Sequence, residues 1–453
     1  MRFDVERKRV VVVGGGRSGK AAAALLVSKG AHVVLSDTAQ SLDGAEDLRA
    51  LGVAIELGPH RADTFTGADL IVASPGVPLD QEALIAARRA GVPVIGEIEL
   101  ASRWLSGRVI AITGTKGKST TTTLAARMLT EAGFDVTAGG NLGTALSAQV
   151  ALSRPSSLHV VEVSSFQLEA TETFRPWIAV LLNLADDHLD RHGSLEAYGR
   201  AKARVFANQT PADWAVVNAD DPAALALARG ARARRFDFGV SAAVQEGVSV
   251  AGGSIVRRTA VGATPLLPLT AVRLPGKHLL SDVLAAAAVG SVAGVPPAAM
   301  RRAVETFPGL EHALERVAEI NGIRFVNDSK ATNVVSARRA IESFDRGIVA
   351  IMGGRFKGGN LGELRDSVAS RVDAIVAIGE ATPLIHTALS DVVAIHDAAS
   401  MPDAVRTAFG LARAGGVVLL APACASFDMF HDYAERGRVF KDEVRRLEEA
   451  KRT

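Results

Sequence analysis

Residues 108–131 read RVIAITGTKGKSTTTTLAARMLTE, which is an apolar run, a glycine-rich turn and a segment of helical spacing. A glycine turn between a strand and a helix lets backbone N–H groups converge on phosphate oxygens, and the helix N-terminus adds a favourable partial charge. Lys118 can neutralise the terminal phosphates of a nucleotide, and Ser119 offers a hydroxyl to Mg²⁺. The segment therefore predicts a phosphate-binding loop on an α/β scaffold.

This loop departs from the general pattern G-x-x-x-x-G-K-[ST]. That pattern would place a glycine at position 112, where the chain has Ile112, so the loop is a shortened variant. A glycine turn that binds no nucleotide is the alternative, but the Gly-Lys-Ser triplet stands in the strand-loop-helix context that phosphate binding requires. The predicted nucleotide-binding residues are Gly114, Thr115, Lys116, Gly117, Lys118, Ser119 and Thr120.

Short runs rich in Val and Ile alternate with Ala- and Leu-rich segments along the whole chain, which is typical of parallel sheets with crossover helices. The chain has 453 residues, more than the ~250 to 300 that one hydrophobic core usually reaches. Each third of the chain carries its own predicted strands, so we expect three α/β domains. We place the first boundary near residues 96–99 and the second near residues 306–309, where Phe-Pro-Gly indicates a turn. Residues 235–270 have no helical period and predict a small β excursion in the middle domain.

The composition excludes several classes of protein. Apolar residues make up 48% and charged residues 22%, so the chain can bury real cores. Lys and Arg total 51 against 49 Asp and Glu, and they are scattered, which argues against a nucleic-acid partner or an acidic membrane surface. The most apolar stretch, residues 283–300, is mostly Ala and Gly and contains two prolines, so no membrane insertion is expected. One cysteine and a first stretch without an apolar signal region predict a cytoplasmic protein.

A second glycine loop lies at residues 14–19, GGGRSG, and Asp37 ends the next predicted strand. This spacing is typical of a dinucleotide site and taken alone predicts NAD. The motif is weak, however, because any nucleotide-like anion could use the same loop, and a structural glycine turn is a further alternative. Two phosphate-binding loops on one chain favour two phosphorylated ligands over simple redox chemistry.

Polar residues follow other predicted strands. Glu162 ends an apolar run, where α/β sheets place their ligands, and could hold a metal. Residues 183–192, NLADDHLDRH, follow another strand with several possible donors. Their spacing leaves open which of them face a metal, and a solvated polar loop is an equal alternative. Lys202 and Arg204 lie on a predicted helix, where surface charge is the default interpretation.

The last third has two further polar clusters. Residues 327–333, NDSKATN, follow a strand, and Lys330 in this cluster would suit a phosphate. Residues 419–428, LLAPACASFD, end a strand in small residues, and such a turn leaves backbone N–H groups for a carboxylate. Cys424 has no paired histidine in its motif and is expected to be a small buried residue instead of a nucleophile.

Together these motifs resemble the Mur ligase family over nearly the whole chain. They occur in the family's order: GTKGKST, EVSSFQLE, NLADDHLDRHGS, YGRAKARVF, LPGKH, NDSKATNV and LAPACASFDMF. NDSKATN and PACASFD are similar to the members that add D-glutamate. The resemblance implies that ATP phosphorylates the alanyl carboxylate of UDP-N-acetylmuramoyl-L-alanine and that D-glutamate attacks the acyl phosphate, in cytoplasmic peptidoglycan synthesis.

The resemblance also implies three domains. We expect the protein to be a monomer. The expected domains are a Rossmann-like UDP-sugar-binding domain over 1–97, a central P-loop ATPase-like domain with a mainly parallel sheet over 98–307, and a Rossmann-like amino-acid-binding domain over 308–453.

Roles for individual residues come from the same resemblance. Lys118 and Lys330 would clamp the γ-phosphate of ATP, and Ser119 would hold one Mg²⁺. Glu162, His188 and Lys202 would surround a second Mg²⁺, with Lys202 carbamylated and so an anionic oxygen ligand. The matching UDP-sugar positions are Arg17, Ser18, Asp37, Thr38, Gly76, Asn141 and His188. The matching D-glutamate positions are Thr332, Lys357, Ser426, Phe427 and Tyr433.

The chain departs from the family pattern at the adenosine end of the ATP site. Asp282 stands where the family usually has Asn, and the motif H-R-[FL]-E is replaced by HALE at residues 312–315. Loss of the arginine at Ala313 would weaken ATP binding, and Asp282 would change the adenine contacts. Three alternatives stay open: another amino-acid ligase on this fold, an NAD-dependent oxidoreductase, and a nucleotide-binding regulator without catalysis.

Overall fold

The computed structural model describes residues 3–141, 143–187, 189–272 and 277–452. The chain divides into two compact units. The first comprises Met1–Arg273 and His278–Thr306, and the second comprises Leu274–Lys277 and Phe307–Thr453.

The first unit begins with a five-stranded parallel sheet. Its strands are β1 (Arg9–Val13), β2 (His32–Asp37), β3 (Ala54–Leu57), β4 (Leu70–Ala73) and β5 (Val94–Gly96), and its helices are α1 (Arg17–Ser28), α2 (Ala45–Ala50), α3 (Ala62–Thr66), α4 (Glu82–Arg89) and α5 (Glu97–Ser102). The strand order is β3-β2-β1-β4-β5. Strand β1 is apolar throughout its buried part because helices cover both faces of a parallel sheet. Strands β2 and β3 lie on one side of β1 and strands β4 and β5 on the other, so the strand order reverses at β1. Open α/β sheets bind their ligands at such a reversal.

A nine-stranded sheet forms the rest of the first unit. Its strands are β6 (Arg108–Thr113), β7 (Val136–Gly140), β8 (Leu158–Glu162), β9 (Ile178–Leu181), β10 (Trp214–Asn218), β11 (Arg234–Gly239), β12 (Gly247–Ala251), β13 (Ser254–Thr259) and β14 (Gly262–Pro268). Its α-helices are α6 (Lys118–Glu131), α7 (Leu146–Gln149), α8 (Ser165–Glu169), α9 (Leu189–His192), α10 (Leu195–Ala203), α11 (Pro222–Leu227), α12 (Lys277–Ala293) and α13 (Pro297–Glu305), and its 3-10 helices are Val150–Leu152, Arg204–Phe206 and Leu269–Ala271.

The order in this sheet is β14-β13-β12-β11-β10-β9-β6-β8-β7. Strands β6 to β12 pair in parallel, whereas β13 and β14 add antiparallel strands at one edge. These edge strands account for the β excursion that residues 235–270 predict. Strand β6 lies between β8 and β9, so the strand order reverses at the phosphate loop.

The second unit contains a six-stranded sheet. Its strands are β15 (Glu315–Ile320), β16 (Ile323–Asn327), β17 (Ile348–Gly353), β18 (Val372–Ile378), β19 (Ala394–Asp397) and β20 (Val417–Leu420). Its helices are α14 (Val334–Glu342), α15 (Arg365–Arg371), α16 (Thr382–Leu389), α17 (Met401–Leu411) and α18 (Tyr433–Arg452), with a 3-10 helix at Leu361–Leu364. The order is β15-β16-β20-β17-β18-β19, and all pairs except β15–β16 are parallel.

These three mainly parallel sheets confirm the predicted α/β fold class. The domain boundaries at 97 and 307 remain a prediction. In the described ranges no helix is long and apolar enough to cross a membrane. The apolar stretch from Val283 to Val289 is completely buried within α12 instead.

Candidate active site

The phosphate loop joins β6 to α6, and its backbone requires glycine at two places. Gly114 has φ +153° and Gly117 has φ +85°, a region of backbone conformation that side chains disfavour. Asn183, which follows β9, fixes the loop from the side. Its Oδ1 accepts from the backbone N–H of Lys116 (2.9 Å) and Thr115 (3.2 Å), and its Nδ2 donates to the Lys116 carbonyl (3.0 Å). The loop is therefore held in shape by residues of its own unit.

Two lysine side chains converge on the carbonyl groups of this loop. Lys118 Nζ donates to the carbonyls of Gly114 (3.0 Å) and Thr115 (2.9 Å). Lys202 Nζ, from α10, donates to the same Gly114 carbonyl at 2.8 Å. The amines of Lys118 and Lys202 therefore share the Gly114 carbonyl at the start of the predicted phosphate loop.

Lys202 is not the surface residue that its place on a helix predicts. It is 1% exposed, and its Nζ lies 4.3 Å from the centroid of the Tyr198 ring. Burial, together with the charge of Lys118, lowers the pKa of Lys202 to about 6, although the carboxylates of Asp187 and Glu162 act in the other direction. The surface interpretation was wrong because α10 turns this residue toward the loop, where its amine is buried.

Glu162 lies at the end of β8 and is 3% exposed. Its Oε2 accepts from the Ser119 hydroxyl at 2.6 Å, and its Oε1 accepts from Asn141 Nδ2 at 2.7 Å. A carboxylate beside a hydroxyl is a donor set that suits Mg²⁺, which binds one or two carboxylates together with waters and substrate phosphates. These residues therefore fit the expected metal.

The other predicted metal ligand, His188, lies outside the described residues. No group of three or more His, Cys, Asp or Glu side chains in the described part of the chain is placed to hold a metal ion. A Mg²⁺ ion at this place would rest on Ser119 and Glu162 together with phosphate oxygens.

Asp282 lies beside the phosphate loop. It is 6% exposed on α12, and a Cβ atom on Gly117 would clash with its carboxylate. Glycine at position 117 therefore permits both the backbone turn and the close approach of Asp282. The departure from the family's usual Asn places an acid next to the loop that is predicted to bind phosphates.

The first glycine loop lies between β1 and α1 and has a different support. Asp37 Oδ2 accepts from the Gly15 N–H at 2.5 Å, and its Oδ1 accepts from the Ala39 N–H at 2.8 Å. A side chain on Gly19 would clash with the Gly14 carbonyl, so only glycine lets α1 pack onto the loop. The carboxylate that the sequence assigned to ligand binding thus also orders the loop itself.

A cavity of about 440 Å³ opens at this first loop, a size that suits a small ligand. It brings together five of the predicted UDP-sugar residues: Arg17, Ser18, Asp37, Gly76 and Asn141. Thr38 is exposed beside Asp37 and does not line the cavity. Arg17 Nη2 donates to the Asn141 carbonyl at 3.1 Å, so the cavity has walls from both sheets of the first unit.

In the second unit, the predicted amino-acid residues follow three neighbouring strands. Thr332 follows β16, Lys357 follows β17 and Ser426 follows β20. Ser426 is 2% exposed, whereas the aromatic side chains of Phe427 and Tyr433 are 62% and 38% exposed. The carboxyl ends of parallel strands meet at one edge of a sheet, so these residues share one edge.

Lys330 lies in the loop after β16, and a strained turn holds its backbone. Its N–H donates to the His312 carbonyl at 3.0 Å, while His312 (φ +63°) and Leu314 (φ +47°) adopt left-handed conformations on either side of Ala313. His312 is 3% exposed, and burial lowers its pKa. The HALE motif therefore positions the Lys330 loop although it lacks the usual arginine.

Cys424 is buried, as predicted, and burial raises the pKa of its thiol to about 11. Since the thiolate is the nucleophilic form, this residue is inert at neutral pH.

Three family models match the chain. The Mur ligase MurD-like N-terminal domain matches residues 8–96, the Mur ligase middle domain matches 112–290, and the glutamate ligase domain of Mur ligases matches 314–424. A UDP-N-acetylmuramoylalanine--D-glutamate ligase of Acidobacterium capsulatum is 48% identical over 98% of this chain and 97% of its own length. The chain belongs to the Mur ligase family.

Further relatives and solved structures agree with this assignment. The ligase of the same name from Koribacter versatilis is 43% identical over 99% of both chains. A pseudomurein peptide ligase type C from Methanothermus fervidus is 16% identical, with a TM-score of 0.61 over 97% of this chain and 100% of its own. The UDP-N-acetylmuramate-alanine ligase MurC from Thermotoga maritima is 20% identical, with a TM-score of 0.61 over the same shares. At these identities the two structures show that this Mur ligase shares their fold.

One contact in this Mur ligase was not predicted by its sequence. Arg191 donates to the carbonyls of Pro75 (3.3 Å) and Val77 (3.0 Å), in the loop that lines the cavity, and its guanidinium lies 4.1 Å from the centroid of the Phe166 ring. The sequence placed Arg191 in a polar loop without a role, because a contact over more than a hundred residues has no local signal.

Proposed function

We propose that this Mur ligase joins D-glutamate to UDP-N-acetylmuramoyl-L-alanine, with ATP hydrolysed to ADP and phosphate through an acyl-phosphate intermediate. The observation that carries the proposal is the phosphate loop with Lys118 and the Ser119–Glu162 pair, in a chain that is 41–48% identical to relatives named for this reaction. The activity is that of an ADP-forming amide ligase in peptidoglycan synthesis.

The residues of the phosphate loop meet the main demand of the first chemical step. Transfer of a phosphoryl group to a carboxylate brings two anions together, so charge neutralisation and alignment matter more than covalent help from the protein. Lys118 supplies a cation that is already oriented by two loop carbonyls. Mg²⁺, when held by Ser119 and Glu162, would neutralise further phosphate charge. Lys330, in the second unit, stays a predicted ligand of the γ-phosphate.

The cavity at the first glycine loop is the proposed site of the UDP group. Arg17 and Ser18 stand at the N-terminus of α1, where backbone N–H groups favour a diphosphate. Asp37 would face the uracil end, next to Thr38, and Asn141 and Gly76 complete the proposed contacts. Asn141 also donates to Glu162, so the cavity lies beside the proposed metal ligand.

We also propose that Lys202 is carbamylated. Its amine is buried, and burial lowers its pKa to about 6, so the neutral form that can attack CO₂ prevails at neutral pH. In that step a bond forms between Nζ and the carbon of CO₂, and the amine releases a proton. The product carries an anionic oxygen, which would serve as the ligand for a second Mg²⁺ together with Glu162 and His188.

The proposed D-glutamate residues are Thr332, Lys357, Ser426, Phe427 and Tyr433. Lys357 is an exposed cation that could bind one carboxylate, and the turn at Ser426 could bind the other. We further propose that the enzyme acts in the cytoplasm as a monomer, which gel filtration of the full chain would test.

Phosphate release from ATP tests the reaction. The assay contains UDP-N-acetylmuramoyl-L-alanine and Mg²⁺, with D-glutamate, L-glutamate or no amino acid, each with and without bicarbonate. We expect release that requires both the UDP-sugar and D-glutamate, and that bicarbonate increases. Release with another amino acid in place of D-glutamate would identify a different ligase. No turnover by folded protein that still binds the UDP-sugar would identify a regulator instead.

A further inference from the structure

Arg436 is a fully buried arginine in the second unit, and no motif of the sequence points to it. It lies on the first turn of α18 and is 1% exposed. Its guanidinium makes four hydrogen bonds with neutral acceptors. Nε donates to the Ser329 hydroxyl (2.9 Å), Nη2 to the Ser329 carbonyl (2.9 Å), and Nη1 to the carbonyls of Cys424 (3.1 Å) and Gly353 (3.4 Å).

These acceptors stand at the carboxyl ends of three adjacent strands. Ser329 follows β16, Gly353 ends β17 and Cys424 follows β20, and β20 lies between the other two. The Ser329 hydroxyl in turn donates to the Tyr433 carbonyl at 2.7 Å. One planar guanidinium thus fixes the relative positions of three loops and the start of α18. Arginine suits this role because its N–H donors have a fixed, planar arrangement.

Each of these segments carries a residue of the proposed amino-acid site. Thr332 follows Ser329 by three positions, Lys357 follows Gly353 by four, and Ser426 follows Cys424 by two. Tyr433 lies one helical turn before Arg436 on α18. A displacement of the guanidinium would therefore move all of these residues relative to one another.

The charge of Arg436 is also relevant to an anionic substrate. Within the described residues, no carboxylate lies within ion-pair distance of its guanidinium, and the hydrogen-bond acceptors are uncharged. Burial lowers its pKa only to about 10, so the group stays charged at neutral pH. A buried charge without an ion-pair partner is costly to the fold, and a substrate with two carboxylates gains from a positive charge beneath its site.

We infer that Arg436 is a positioning residue for the amino-acid substrate, which sets the mutual geometry of the loops after β16, β17 and β20. The inference rests on the proposed function, because it assigns D-glutamate to those loops. Arg436 acts through these loops and is not itself proposed to touch the substrate.

The test compares Michaelis constants for the three substrates in the full-length enzyme. The first variant, Arg436→Lys, keeps the positive charge but lacks the planar set of N–H donors. The second variant, Arg436→Met, lacks both the charge and the donors. Arg445→Met is the matched control, because Arg445 lies on the same helix with its side chain 62% exposed and paired with Asp442 at 3.1 Å. Circular dichroism and the melting temperature establish that each variant is folded.

We expect Arg436→Met to raise the KM for D-glutamate by a factor on the order of 100 and Arg436→Lys by about tenfold, since small displacements of positioning groups have effects of this size. The constant for the UDP-sugar should stay within about twofold of the parent. The constant for ATP should rise less than that for D-glutamate, because only Lys330, next to Ser329, is a predicted phosphate ligand on these loops. Arg445→Met should leave all three unchanged.

Two results would overturn the inference while leaving the proposed function intact. In the first, folded Arg436 variants keep the parent's KM for D-glutamate or lose affinity for all three substrates equally. In the second, neither variant folds, which would make Arg436 a residue for stability alone. If the parent enzyme has no D-glutamate-dependent activity, the proposed function fails, and the inference fails with it.

Discussion

The two glycine loops of the first unit share a backbone plan but differ in the charge that supports them. Both follow a buried strand, use a left-handed glycine and precede a helix. The loop at residues 14–19 is supported by a carboxylate, because Asp37 accepts from Gly15. The loop at residues 114–120 is supported by amines, because Lys118 and Lys202 donate to its carbonyls. The glycines therefore determine the shape of each loop, and side chains of opposite charge hold the two loops in that shape.

The largest expected effect is at Lys118. Substitutions in the two glycine loops should differ in the kinetic constant that they change. Lys118→Met removes the cation that we propose to face the transferred phosphate, and we expect kcat to fall by a factor on the order of 1000. Arg17→Met, at the first loop, should mainly raise the KM for the UDP-sugar. Phosphate release with the UDP-sugar concentration varied, at saturating ATP and D-glutamate, measures both constants, with the exposed Lys8→Met as control. Equal losses of kcat in the two variants would break the distinction between the loops.

Glu162→Gln tests the charge beside the phosphate loop. Glutamine keeps an acceptor for Ser119 but loses the negative charge, so we expect activity to fall by a factor on the order of 100 and the Mg²⁺ requirement to rise. Titration of activity with Mg²⁺ measures this. Glu131→Gln, which removes a surface ion pair with Arg302, is the control. An unchanged Mg²⁺ titration would exclude Glu162 as a metal ligand.

Lys202→Met tests the buried amine in metal-free protein without bicarbonate. The groups that act on Lys202 are Lys118, Asp187 and Glu162, and its pKa is about 6 in the folded state against 10.5 for an unperturbed lysine. Between these two values the unfolded chain binds a proton that the folded chain does not. The free energy of unfolding of the parent therefore falls as the pH falls from about 10.5 to about 6, and the penalty is complete below that range.

We expect Lys202→Met to be more stable than the parent by on the order of 5 kcal/mol at pH 7, because the variant has no amine to protonate. The difference should shrink as the pH approaches 10. Urea denaturation at pH 7 and pH 9.5 measures it, again with Lys8→Met as control. A difference that does not depend on pH would contradict the assignment.

Asp37→Asn tests the carboxylate of the first loop. Its two oxygens accept from Gly15 and Ala39, and an amide can replace only one of these acceptors. We expect the KM for the UDP-sugar to rise about tenfold with the KM for ATP unchanged. Calorimetric titration with the UDP-sugar checks the result, and Asp63→Asn, on the exposed surface, is the control. Equal weakening of ATP would show that the loops are not independent.

The smallest expected effect is at Asp282. Its carboxylate lies against Gly117 of the phosphate loop, so Asp282→Asn removes a like charge from the neighbourhood of the phosphates. We expect the KM for ATP to fall about threefold, within the range of screened charge interactions. A rise in this constant would mean that the acid contributes to ATP binding.

Local patterns predicted most of the fold and the outline of the site. The phosphate loop is encoded within a few residues, and the parallel sheets follow from Val- and Ile-rich runs. Contacts distant in sequence gave no such signal. Lys202 was expected at the surface, because a lysine on a short helix does not reveal which face is buried, whereas α10 also buries Tyr198, Gly199 and Ala201. Asn183 and Arg436 were missed for the same reason, since the partners of Asn183 lie 67 and 68 residues away and those of Arg436 lie up to 107 residues away.

The two carboxylate oxygens of Glu162 contact two different parts of the first unit. One accepts from Ser119 of the phosphate loop and the other from Asn141 of the cavity wall. A ligand that displaces either partner changes the carboxylate that the other ligand meets, and any resulting coupling must be reciprocal. The factor by which the UDP-sugar alters the affinity for Mg²⁺-nucleotide must therefore equal the factor by which the nucleotide alters the affinity for the UDP-sugar.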